Sequence, residues 1–179
     1  MSISLRADRT RRVVLDAMLI ALAMMLSYLE VLLPLELWIP LPGFRLGLAN
    51  FLTVTVFSVL SKRDAAAISG TRILLMGLLF GSVTSLYFSA MGGLFSFLTL
   101  LLLSKSGTRC SYFGVSILSA AAHNCGQLTA AVTLFGTSLI SSYLPFLLIA
   151  ALICGGTVGL LLNLCVPKLQ RALKGWWIA

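Results

Sequence analysis

The chain has 179 residues, 59% of them hydrophobic and only 10% charged, with a mean hydropathy of +1.04. A soluble domain carries about a quarter charged residues, so too little polar surface remains to cover a water-soluble globule. The formal net charge of +8 does not point to nucleic acid, because the basic residues sit between hydrophobic runs and form no stripe with interleaved aromatics.

The composition predicts an all-α integral membrane protein, one domain over residues 1–179. A membrane-crossing helix needs about 20 mostly apolar residues. Span 1 is expected at about 13–33. A basic segment with Arg6, Arg9, Arg11 and Arg12 precedes it, but the run is too long for a signal peptide and shows no small-residue cleavage site before Pro34. Pro34, Pro40, Pro42 and Gly43 then mark an irregular loop holding Trp38, an aromatic suited to the membrane interface. Span 2 is expected at about 44–60, and Ser61-Lys62-Arg63-Asp64 forms a charged turn. From Ala65 to Ser104 the one charge is Arg72. That run is too long for one crossing and fits two, about 65–86 and 88–104, with a break expected between Leu86 and Gly93. A basic turn from Lys105 to Arg109 leads to span 5 (about 112–135) and span 6 (about 143–166), which Pro167 is expected to end.

Six spans put the basic residues on one side. With the N-terminus inside, Arg6, Arg9, Arg11, Arg12, Lys62, Arg63, Lys105, Arg109, Lys168, Arg171 and Lys174 are all cytoplasmic, eleven of the thirteen Lys and Arg residues. The outer loops keep only Arg45. Five spans would place Lys105, Arg109 and the basic tail outside, against the positive-inside rule. Both termini are therefore expected in the cytoplasm. The four cysteines show no CxxC spacing, so neither a disulfide framework nor a zinc site is implied. They read as small buried hydrophobes.

Polar side chains within a bilayer are costly and usually face a cavity or a partner. Glu30 lies roughly 25 Å along span 1 from its inner end, and Asn50 about 9 Å below the outer end of span 2. His123, Asn124 and Gln127 fall in the middle to outer half of span 5; His123 and Gln127 share a face at i, i+4. These residues are candidate ligand contacts, with Arg45 at the outer mouth. The plainer readings are helix–helix hydrogen bonds for Asn50 and Asn124, a headgroup position for Glu30, and packing for His123. Arg72 has three options: snorkelling to the inner interface, a structural ion pair with Asp16, or contact with an anionic group. The ion pair is the expectation. Small-residue pairs Ala17/Ala21, Gly77/Gly81 and Gly155/Gly159 mark close helix approaches. There is no P-loop, no HExxH and no credible Ser-His-Asp set, and five acidic residues in all leave little to hold magnesium. No enzyme, metal or cofactor is expected.

Several of these stretches resemble one family. Glu30 with Pro34, the run Gly43-Phe44-Arg45-Leu46-Gly47-Leu48-Ala49-Asn50, Arg72, Ser89-Ala90-Met91-Gly92-Gly93, His123-Asn124-Cys125-Gly126-Gln127 and Tyr143-Leu144-Pro145 resemble the Gx transporter family. Its members are often labelled heptaprenyl diphosphate synthase component I. The resemblance covers about residues 12–168. That family is similar to the substrate-binding S components of energy-coupling-factor transporters, six-helix proteins of the prokaryotic inner membrane. The resemblance implies a nutrient pocket open to the outside, capped by the loop from Pro34 to Gly43. It also implies docking through Ala17 and Ala21 to a transmembrane T subunit that carries two ATPases. Clustered aspartates for a prenyl diphosphate site are missing: the chain has only Asp8, Asp16 and Asp64. The expected function is substrate capture for such an importer. The alternative is a non-catalytic membrane component of polyprenyl diphosphate or quinone synthesis, a scaffold for a soluble synthase.

Overall fold

The computed structural model describes residues 2–32, 47–106, 110–137 and 139–178. Among these there are six helices and no strand: α1 (Ser2–Leu32), α2 (Leu48–Val59), α3 (Lys62–Phe80), α4 (Val83–Lys105), α5 (Tyr112–Phe135) and α6 (Leu139–Ile178). Arg45, Trp38 and the proline-rich stretch from Pro34 to Gly43 lie outside the described residues.

Among the described residues, three stretches are long and apolar enough to cross a membrane: Thr10–Leu32, Val83–Lys105 and Leu144–Ala172. The other helices fall short for physical reasons that bear on function. Helix α2 has only 12 residues, about 18 Å at 1.5 Å per residue. Helix α3 begins on Lys62, Arg63 and Asp64 and carries Arg72. Helix α5 carries Ser116, Ser119, His123, Asn124 and Gln127. Polar residues thus dilute the helices that build the interior.

Helix α2 is the centre of the bundle and packs against α1, α3, α5 and α6. Two buried apolar clusters flank it. Leu52 and Val56 join Ala23 of α1 with Ala65 and Ile68 of α3. Val54 joins Leu100 of α4 with Val158, Leu162 and Val166 of α6. The most extensive interfaces are α5 with α6 and α4 with α5. The α5–α6 approach rests on Gly155 and Gly159. A Cβ at Gly155 would lie 2.8 Å from Ile117 Cα, and one at Gly159 would lie 2.8 Å from Phe113 Cα. Small residues let membrane helices approach to backbone contact, where dispersion holds them. This pair acts as its spacing predicts.

Four expectations need correction. The α3–α4 break falls at Gly81–Ser82, not between Leu86 and Gly93. Gly81 is extended, and the Ser82 hydroxyl caps α4 by accepting from the Ser85 N–H at 3.1 Å. Gly92 and Gly93 instead lie inside α4. Pro167 does not end α6, which runs on to Ile178. A proline removes one backbone bond but does not forbid continuation where neighbouring packing holds the helix. The cysteines are not a buried set: Cys110, Cys125 and Cys165 are exposed and Cys154 is half-buried, all as free thiols. A small apolar side chain gains little by leaving lipid for protein, so burial is not forced.

Finally, Arg72 does not pair with Asp16. The acid at that end, Asp64, is taken by Arg12, whose Nη2 donates to both carboxylate oxygens at 2.7 and 3.0 Å. Arg72 Nη1 donates to Ser27 Oγ at 3.0 Å. From Asp64 to Arg72 is about 12 Å of helix, and from Arg12 to Ser27 about 22 Å. The guanidinium therefore extends away from the Arg12 end, which fits neither the expected ion pair nor the snorkelling option.

A leucine at Gly155 forces α5 and α6 apart. Overpacking of this kind costs about 1–3 kcal/mol, so Gly155→Leu lowers the thermal unfolding midpoint in detergent. An unchanged midpoint would show that this contact does not set the α5–α6 spacing.

Candidate functional site

The site begins with a helix start that cannot cap itself. Gly47 precedes α2 in the left-handed region (φ 82°) and offers no side-chain cap. The first N–H groups of a helix have no partner inside it. Glu30 of α1 supplies one: its Oε1 accepts from the Leu48 N–H. Glu30 is only 5% exposed, and the positive end of the helix dipole favours a carboxylate there. The headgroup position is therefore excluded, and Glu30 holds α2 against α1.

Two residues into α2, Asn50 is held on both ends of its amide. Its Nδ2 donates to Ser119 Oγ of α5 at 3.2 Å, and its Oδ1 accepts from Ser96 Oγ of α4 at 2.9 Å. Ser96 and Ser119 also contact each other through their hydroxyls at 2.6 Å. Three helices are tied together by one amide and two hydroxyls.

These groups surround a polar cavity. It is lined by Glu30 of α1, Asn50 and Thr53 of α2, Ser69 and Arg72 of α3, Ser89, Gly93 and Ser96 of α4, and His123 of α5, with Gly47 at the head of α2. The cavity is narrow, about 20 Å³, room for a water-sized guest. Arg72 is 7% exposed, so the cavity holds a buried guanidinium and a buried carboxylate together. His123 reaches it across Gly92: a Cβ at Gly92 would lie 2.7 Å from His123 Cε1. The glycine leaves the space in which the imidazole lies. Among the described residues no cluster of three or more His, Cys, Asp or Glu offers a metal site.

The polar interior is thus placed on a bundle whose apolar helices suit a membrane. Over residues 19–165 the sequence matches the family described as heptaprenyl diphosphate synthase component I. The chain belongs to this family. No curated protein and no solved structure matches it.

In this heptaprenyl diphosphate synthase component I family member, Glu30, Asn50 and His123 converge as lining residues, and Arg72 joins them. Asn124 and Gln127 are not among the lining residues. Asn124 turns to α6, where its Nδ2 donates to the Leu147 carbonyl at 2.8 Å. Gln127 is buried on α5. Arg45 falls outside the described residues, and Ala17 and Ala21 lie on the exposed face of α1. The lining hydroxyls of Thr53, Ser69, Ser89 and Ser96, and the Ser27 contact of Arg72, are not expected from the sequence. Serine and threonine in a membrane helix can bond their own backbone, so single hydroxyls carry little signal. A usable one existed: Ser69 stands three residues before Arg72, on the same helix face.

The cap role of Glu30 separates two substitutions. In Glu30→Gln the amide carbonyl still accepts from Leu48, so stability in detergent stays close to the parent. Glu30→Leu leaves a buried N–H unmet, a loss of about 1–3 kcal/mol. Equal unfolding midpoints for the two variants would refute the capping contact.

Proposed function

We propose that this protein is the substrate-binding membrane subunit of an energy-coupling-factor-type importer. In this reading six helices cross the inner membrane of a prokaryote and both termini are cytoplasmic. The observation that carries it is the polar cavity, where Glu30, Asn50, Arg72 and His123 from four helices face one space inside an apolar bundle. Intramembrane ionisable groups mark ligand or ion pathways by default. The distribution of basic residues supports the orientation. The family resemblance supports the importer role.

The ligand contacts are Glu30, Asn50, Arg72 and His123 in the cavity, with Arg45 at the mouth. Asn124 and Gln127 act behind them, by bracing α5. The free space is far below the roughly 300–1,000 Å³ of small-molecule sites, so capture requires the helices around the cavity to part. Ala17 and Ala21, exposed on α1, are where a T subunit docks. ATP hydrolysis belongs to the partner ATPases, since the chain has no P-loop.

A second reading draws on the family's description, heptaprenyl diphosphate synthase component I. It makes the protein a non-catalytic membrane component that holds a soluble prenyl synthase.

Native mass spectrometry of the protein extracted from its own membrane decides between them. Capture predicts a bound small molecule whose occupancy falls roughly ten-fold in Arg72→Gln, the loss of about 1.4 kcal/mol. It further predicts that Ala17→Trp with Ala21→Trp abolishes co-purification of a T subunit and ATPases. An empty protein that co-purifies a prenyl synthase would establish the second reading.

A further inference from the structure

The polar cavity has a thin wall on the side of α3 and α4. Ser69 and Gly93 line it, and the same two residues line a second depression, an apolar groove of about 460 Å³ between those helices. Ser69 is the only hydroxyl among the groove's lining residues. The groove exists because the α3–α4 hairpin closes tightly only near its turn. There Gly77 receives Leu86, and a Cβ at Gly77 would lie 2.5 Å from Leu86 Cδ1. Farther from the turn the facing residues are small and exposed: Ala66, Gly70 and Ala90. A Cβ at Gly70 would meet nothing within 4 Å. Where the two spaces adjoin, the Ile73 side chain lies over Gly93, 2.6 Å from where a Cβ would stand. The Ile73 side chain, which also lines the groove, thus lies at the boundary between the two spaces.

We propose that the captured ligand is a membrane-soluble amphiphile, its small polar head in the cavity and its apolar body in the α3–α4 groove, reached from the bilayer. This rests on the capture reading and names its substrate class. The sizes divide in this sense, with room for a small head behind Ser69 and Gly93 and space more than twenty times larger in front of them. The chemistry divides the same way. Glu30 and Arg72 are opposite charges lining one buried space, so a head without net charge adds none that needs burying unpaired. Asn50, His123 and the hydroxyls offer such a head both donors and acceptors. The groove offers almost nothing but carbon, and its mouth opens where lipid would lie.

The test uses the full chain in lipid nanodiscs and two photoreactive probes. One is a diazirine-bearing fatty alcohol, and the other is the same chain without the hydroxyl. The alcohol labels residues 66–74 and 86–97 roughly ten-fold more than the alkane does, equivalent to about 1.4 kcal/mol of head-group preference. Gly70→Phe fills the groove without touching the cavity and removes that preference, while the unfolding midpoint stays at that of the parent. Equal labelling by both probes would mean ordinary lipid contact and overturn the inference, as would preferential labelling that survives Gly70→Phe. A water-soluble guest in native mass spectra, retained in Gly70→Phe, sinks the amphiphile while leaving capture intact. No bound guest together with no preferential labelling sinks both.

Discussion

The contact between the Glu30 carboxylate and the Leu48 N–H is what the interior depends on. A helix start buried in a bundle needs acceptors, and Gly47 has none to give. By reaching across from α1, Glu30 fixes where α2 begins. That start places Asn50 two residues later, level with Ser96 and Ser119. The same contact gives a buried carboxyl group a partner inside the molecule, at a helix N-terminus whose unpaired N–H groups need acceptors. Cap and cavity wall are one side chain, so this part of the site is built by the folding of α2.

Arg72 shows how an expensive group is retained. A charge in a membrane helix is tolerated where it meets polar partners in the interior. Ser27 provides one partner by hydrogen bond. Asp16 does not: with α1 packed on α3 so that Arg12 meets Asp64, Asp16 lies nearer that end than Arg72. Once that pair forms, Arg72 stands more than a helical turn beyond Asp16 and reaches outward.

The helices were legible in the sequence because lipid imposes a simple rule of length and polarity. Helix α5 falls at the predicted residues 112–135, framed by Ser111 and Gly136. The α3–α4 break was misplaced because Gly92–Gly93 looks like a turn from sequence alone. In the fold these glycines make room for His123 and Ile73. Of the site, the charged and amide residues stood out, since each is rare in an apolar run. Whether an amide faces a cavity or a neighbouring backbone depends on helix rotation, which one sequence does not fix. Asn50 and Asn124 illustrate this: one is tied into the cavity wall, the other to the Leu147 carbonyl.

The packing is uneven. Helices α4, α5 and α6 join through the broadest interfaces, α4 with α5 and α5 with α6, with backbone-close glycine contacts, whereas α3 meets α1 and α4 over much smaller ones. The bundle therefore divides into a closely packed slab of α4, α5 and α6 and a less extensively joined pair, α1 and α3, with α2 set between them. Any separation of the helices breaks fewest contacts along that division, because dispersion contacts add up with the interface they cover.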